Sequence, residues 1–203
     1  MQGVTVRLMS LKPVNMEVTL KSYILSIKKA VAEIDRNRAK ETLQIASDAL
    51  GFIKGRIIDT GKDADGNKFP GYSKAVVPKW MYYGRSRSQG AEKRLKDSPD
   101  WFVSYEEFRE FNNLRTDHVE LSFTGEMWRN MRPEIVSNVA RRTVVQLNGG
   151  NQLTKNKVEW HSERYGEPIL QLSKAERLKV EKANQKRVNK TLKKFGLDIF
   201  IVN

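Results

Sequence analysis

The sequence predicts an α+β fold, a small antiparallel twisted β-sheet packed against N-terminal helices and a C-terminal helix, with a long aromatic-rich loop. Three observations predict it. Apolar residues recur at helical spacing through the N-terminal third, alternating segments punctuated by turn formers gather between about 117 and 165, and a capped basic segment precedes a glycine stop. At 203 residues the chain fits a single domain, 1–203.

The elements follow in order. Val4 to Leu8 reads as a short edge strand or an arm, closed by Pro13. From about Met16 the pattern turns helical: Ile24, Ile27, Val31 and Ile34 form one apolar stripe at i, i+3, i+7 and i+10. A second stripe, Leu43, Ala46, Leu50, Ile53 and Ile57, starts in a shifted phase. The spacing therefore predicts one long helix or two consecutive ones, broken near Asp35-Arg-Asn-Arg38 and ending at Gly61. Gly51 and Gly55 each weaken the second stripe by about 1 kcal/mol relative to alanine, which marks close packing against the sheet.

Asp63-Ala-Asp-Gly-Asn-Lys-Phe-Pro-Gly-Tyr-Ser73 is a string of turn formers. It is not a calcium loop, because glycine falls at the fourth position rather than the sixth and Lys74 stands where the bidentate glutamate belongs. Residues 74–117 hold no sustained period and read as a long loop or insertion. They carry Trp80, Tyr82, Tyr83, Trp101 and Phe102 among arginines and lysines. Such residues stack on bases or anchor protein interfaces, and the interface is favoured because so many aromatics are costly to leave exposed on a monomer. Tyr105 to Phe111 adds a short helical turn.

The expected strands are His118–Phe123, a poorer one at 134–139, Thr143–Leu147 and Lys157–His161. Asn148-Gly-Gly-Asn151 is expected to join the last two as a hairpin. Tyr165-Gly166 ends the final strand and Pro168 stiffens the exit. Ser173-Lys-Ala-Glu176 is a capping box that starts a helix, which runs to about Phe195 and stops at a left-handed Gly196. The tail 197–203 carries Ile199, Phe200, Ile201 and Val202, a β-like run suited to fill a groove or add to a neighbouring subunit.

Charge and chemistry narrow the function. With 37 Lys and Arg against 24 Asp and Glu, the chain carries +13, which suggests an anionic partner. Between Gln171 and Gly196 nine basic residues face two acidic ones. Lys182, Lys186, Arg187, Lys190, Lys193 and Lys194 are the candidate polyanion contacts, the alternative being a solvated helix face. A second basic cluster comprises Arg85, Arg87, Lys93, Arg94 and Lys96. The absence of cysteine excludes disulfides, thiol nucleophiles and thiolate zinc sites. His118 and His161 lack clustered partners, and the pairs Glu106/Glu107 and Asp63/Asp65 lack a third acid or histidine nearby. No catalytic, cofactor or metal residue is assigned, and no enzymatic activity is expected. No segment has the roughly 20 apolar residues of a membrane helix, and the N-terminus lacks signal-peptide character, so a soluble, intracellularly made protein is expected.

The order of the short motifs adds a family. Asp63-Ala-Asp-Gly-Asn67 with Phe69-Pro-Gly-Tyr-Ser73, then Phe123-Thr-Gly-Glu-Met-Trp128, a hairpin, Trp160-His-Ser-Glu-Arg-Tyr-Gly166 and Leu170-Gln-Leu-Ser-Lys-Ala-Glu176 together span about residues 40 to 195. In that order they resemble tailed-phage virion morphogenesis and tail-completion proteins, also called neck or head-to-tail connector proteins. Two features depart from that pattern. Residues 74–117 are longer and more aromatic than usual, and Glu-Pro-Ile-Leu stands where Arg-x-Phe-Leu often precedes the last helix. The resemblance implies a ring of copies of this chain between portal and tail, located in the virion neck after synthesis in the host cytoplasm. Its partners would be a portal or adaptor protein and tail proteins, with possible contact to packaged DNA, and no cofactor or membrane. Trp80, Tyr82, Tyr83, Trp101, Phe102, Ile199, Phe200 and Ile201 would form the subunit contacts. The alternative reading is a basic nucleic-acid-binding protein contacting packaged DNA; a nuclease built from scattered acids is a third.

Overall fold

The structure, a computed structural model, describes residues 20–140, 142–165 and 169–197. Among the described residues, six helices and two two-stranded antiparallel sheets give a mixed α+β fold. The chain divides into two compact units. The first comprises Met1–Ala46, Ile135–Gln146 and Leu178–Asn203, and the second Ser47–Glu134 and Leu147–Arg177.

Helix α1 runs unbroken over Leu20–Thr60. The break expected at Asp35–Arg38 does not occur, because the charges there support the helix: Arg36 pairs with Glu33 and Arg38 with Asp35, each at 3.2 Å one turn away. Gly51 and Gly55 mark no close approach to a sheet either. A Cβ on Gly51 would meet nothing within 4 Å, and one on Gly55 only the Asp59 carboxylate at 3.9 Å. The close approach is at Gly61, which ends the helix at φ +61°, where an added Cβ would lie 2.7 Å from the Cβ of His118.

After α1 come β1 (Val76–Pro78), α2 (Gln89–Asp97), β2 (Phe102–Ser104) and α3 (Tyr105–Phe111). The aromatic-rich 74–117 connection is thus built from short elements, the helical turn at Tyr105–Phe111 among them. Then follow α4 (Glu126–Asn130), β3 (Met131–Val139), β4 (Arg142–Gly149), α5 (Gln152–Tyr165) and α6 (Lys174–Lys194).

The second unit holds the main core. Ile53 and Ile57 of α1 pack with Phe69, Val119, Leu121 and Trp128. His118–Phe123 alternates in burial as expected, with Val119 and Leu121 inside, but it is not a strand. Leu121 sits at φ +49°, a left-handed conformation that interrupts a ladder. Side chains serve its backbone groups instead: Glu120 N–H donates to Tyr72 Oη at 3.1 Å, and Glu120 C=O accepts from Trp128 Nε1 at 3.3 Å.

The hairpin is also shifted. β4 pairs with β3, which it follows directly in sequence, and not with Lys157–His161, which lies inside α5. Asn148-Gly-Gly-Asn151 therefore ends a strand and starts a helix. Asn151 Oδ1 accepts the Thr154 N–H at 2.8 Å as an N-cap, and a Cβ on Gly149 would sit 2.7 Å from the Lys155 nitrogen. Val158 and Tyr165, two helical turns apart, pack against the core.

Helix α6 begins with the expected box: Ser173 Oγ accepts the Glu176 N–H at 3.3 Å and Glu176 Oε2 accepts the Ser173 N–H at 2.7 Å. Arg56 Nε donates to the other Glu176 oxygen at 3.0 Å. Gly196, at φ +71°, closes the helix as expected, its N–H donating to Lys193 C=O at 3.0 Å. In the first unit, Arg38 ties the hairpin tip to α1, donating to Thr143 Oγ1 at 3.3 Å and Val139 C=O at 3.2 Å. Among the described residues, no helix is long and apolar enough to cross a membrane.

Candidate protein interface

Within the second unit, a lobe is assembled around Leu95, Val103 and Phe108. Strands β1 and β2 pair antiparallel, with Val76 opposite Ser104, Val77 opposite Val103 and Pro78 opposite Phe102. Alternation along β2 sends Val103 inward, fully buried, and Phe102 outward. The 3-10 turn Lys79–Tyr82 follows β1, anchored by Lys79 N–H to Trp101 C=O at 3.0 Å. Lys79 Nζ also donates to the carbonyls of Lys96 at 2.9 Å and Ser98 at 2.7 Å, neutralising the C-terminal end of α2.

These anchors leave a ridge of large side chains in solvent. Trp101 is 80% exposed, Trp80 66%, Val76 61% and Phe102 57%. The helices beneath it are capped. Ser88 caps α2 through the Ala91 N–H at 3.2 Å, and Ser104 and Glu107 form a reciprocal capping box on α3. The Ser104 amide and hydroxyl hold the Glu107 carboxyl below its ordinary range, so the box stays ionised and charge-assisted.

Not every expected contact lies on the ridge. Tyr82 stacks on Phe108 at 4.3 Å between centroids and 8° between planes, so it belongs to the core of its own lobe. Tyr83 is partly exposed, with the Lys96 ammonium 5.3 Å from its ring centroid. Ile199, Phe200 and Ile201 lie outside the described residues. Val76 and Met81, which sequence reasoning passed over, join the exposed apolar set. Of the second basic cluster, Lys96 pairs with Glu92 at 3.3 Å and Arg94 donates to Asn113 Oδ1 at 3.0 Å.

Arg109 was invisible to the sequence reading, yet it organises the neighbouring turn. Its buried guanidinium donates to Arg115 C=O at 3.0 Å, Ser122 C=O at 2.6 Å and Glu120 Oε1 at 2.6 Å, and lies 4.1 Å from the Tyr72 ring centroid. This fixes Ser122 to Gly125 and brings the Thr124-Gly125 junction to a cavity of about 200 Å³, which His161 and Tyr165 of α5 also line. The two motif junctions that lie far apart in sequence thus share one cavity. Two of its cationic groups are engaged in ion pairs, Lys157 with Glu126 at 2.7 Å and Arg109 with Glu120, while the Arg164 guanidinium lies 5.7 Å from the Tyr165 ring centroid. Burial, with Arg164 and Lys157 nearby, lowers the His161 pKa and keeps the imidazole neutral.

The Asp63 turn closes on itself. Asp63 Oδ1 accepts the N–H groups of Asp65 at 2.9 Å and Asn67 at 2.8 Å, and these bonds hold its carboxyl below the usual value against the upward push of desolvation. Among the described residues no group of three His, Asp, Glu or Cys is placed to hold a metal ion. On α6, Lys182, Lys186, Lys190, Lys193 and Lys194 are exposed, whereas Arg187 turns toward Glu41 of α1 at 3.8 Å and belongs to the packing of the first unit.

No protein-family model, curated protein or solved structure matches this chain.

Proposed function

We propose that this chain is a structural subunit of a tailed-phage virion, a neck or tail-completion ring subunit that joins the portal to the tail and contacts its neighbours through the Trp80–Trp101–Phe102 ridge. The observation that carries the reading is the ridge itself. Its four most exposed side chains offer roughly 500 Å² of apolar surface, taking about 150–250 Å² for each aromatic, which is at the upper end of what a monomer leaves uncovered. At about 25 cal/mol per Å² its burial would contribute roughly 12 kcal/mol before the cost of association. The ordered motifs from Asp63 to Glu176 supply the family expectation. A single patch meeting a different surface on the next copy generates a ring when the rotation closes.

The test is assembly of the purified full-length chain, by light scattering on a sizing column and by electron-microscopic class averages, with Trp80→Ser/Trp101→Ser as comparison. Closed rings for the native chain and monomers for the variant, with an unchanged circular dichroism spectrum, are expected. A native chain that stays monomeric at about 100 μM, alone and with portal and tail proteins, would refute the reading, because hot-spot aromatics of this exposure contribute 2 kcal/mol or more each.

A further inference from the structure

The net charge of the chain is concentrated in one of its units. Among the described residues, the first unit holds 14 Lys and Arg against 4 Asp and Glu, a net +10 in 58 residues, whereas the second carries a net +3. Within that first unit, Lys179, Lys182, Lys186, Lys190 and Lys193 are all exposed on α6. At 100° per residue they fall within an arc of about 80°, and at 1.5 Å per residue they extend over about 21 Å. The residues of α6 that pack toward α1 within this unit, Asn184, Arg187, Val188 and Thr191, lie on the opposite side of the helix. The stripe is therefore a continuous cationic row, backed by packing and turned to solvent.

We infer that this lysine row is a binding face for the phosphate backbone of duplex DNA, separate from the aromatic ridge and independent of whether that ridge builds a ring. The chemistry distinguishes phosphate from the other anionic partners. Protein interfaces are depleted of lysine and need an apolar centre, and the arc contains no apolar side chain. Single strands are held by stacking on aromatics, and the arc contains none. Ammonium groups act as point charges that neutralise phosphates, and the arc carries no arginine, asparagine or glutamine to read base edges bidentately; the row therefore binds without strong sequence preference. Exposed Lys21, Lys28, Lys29, Arg36 and Lys40 of α1 add to the field of the same unit.

The experiment is fluorescence anisotropy of a labelled 30-base-pair duplex of arbitrary sequence with the full-length chain, from 50 to 200 mM NaCl. Five phosphate contacts give a slope of log Kobs against log salt of about −4.5. The variant Lys182→Gln/Lys186→Gln/Lys190→Gln/Lys193→Gln is expected to flatten that slope by about 3 to 4 and to weaken binding at 50 mM at least tenfold, with circular dichroism unchanged. Should the quadruple variant lose its fold, the pairs Lys182→Gln/Lys186→Gln and Lys190→Gln/Lys193→Gln are each expected to flatten the slope by about half as much. The inference is overturned by absence of duplex binding at 50 mM, or by an unchanged slope in the folded variants. It is equally overturned by an equal effect of Lys74→Gln/Lys93→Gln in the second unit, by tighter binding of the single strand, or by displacement of the duplex by polyglutamate at equal charge.

Discussion

Replacing Arg109 by methionine removes the guanidinium while keeping an unbranched apolar stem in its place. Arg109 is 1% exposed and its partner Glu120 15%, so the substitution strands a nearly buried carboxylate. The carbonyls of Arg115 and Ser122 lose their donors at the same time. Three charge-assisted bonds at about 1.5–3 kcal/mol each would sum too high, because removing the guanidinium also relieves its own desolvation. Breaking one side of a buried ion pair costs about 3–5 kcal/mol, and we expect a loss of about 4 kcal/mol, with a fall in Tm of roughly 10 °C for a chain of this size. The assay is urea unfolding followed by tryptophan fluorescence. Trp128 is the buried indole, 5% exposed, and it donates to Glu120 C=O, so its blue-shifted emission reports the affected loop directly. A double-mutant cycle with Glu120→Gln should give a coupling of about 1–3 kcal/mol. A loss under about 1 kcal/mol, or zero coupling, would refute the claim that Arg109 holds the Ser122–Gly125 turn.

Two further predictions concern backbone and charge. Gly61→Ala places a side chain at φ +61° and 2.7 Å from His118, and should cost about 2–4 kcal/mol from the left-handed backbone and overpacking, whereas Gly51→Ala, in open space within α1, should stabilise by about 0.5–1 kcal/mol; equal effects in thermal melts would contradict the packing described. Because burial lowers the folded pKa of His161, the unfolded chain takes up a proton first as pH falls below about 6.5, so stability should drop from there down to the folded pKa and be pH-independent in this respect above about 6.5. His161→Gln should remove that dependence, and an NMR titration placing the imidazole at or above 6.5 would exclude it.

What the sequence by itself determined is local. The helical state of α1, the Ser173–Glu176 box, the Gly61 and Gly196 stops and the short α3 were legible because each depends on contacts between residues at most four apart. Of the α1 stripe, only the C-terminal part, with Ile53 and Ile57, is buried, and Ile24, Ile27 and Val31 are exposed. The inward positions of Val119 and Leu121 were legible as well, since alternation reports which face is buried even where no strand partner exists. Tertiary structure decided the rest. Whether Asn148-Gly-Gly-Asn151 turned a hairpin or capped a helix depended on which neighbour β4 paired with, the strand before it or the segment after it, and pairing with β3 left the second to form α5. Tyr82 and Trp80 looked alike in sequence, and the anchoring of β1 to β2 sent one onto Phe108 and the other into solvent. Arg109 became an organising residue through carbonyls 6 and 13 positions away and a ring from another segment. The lysines could be counted from the start, but their concentration in one unit follows from which distant segments pack together, because burial and electrostatic fields depend on distance in space and not along the chain.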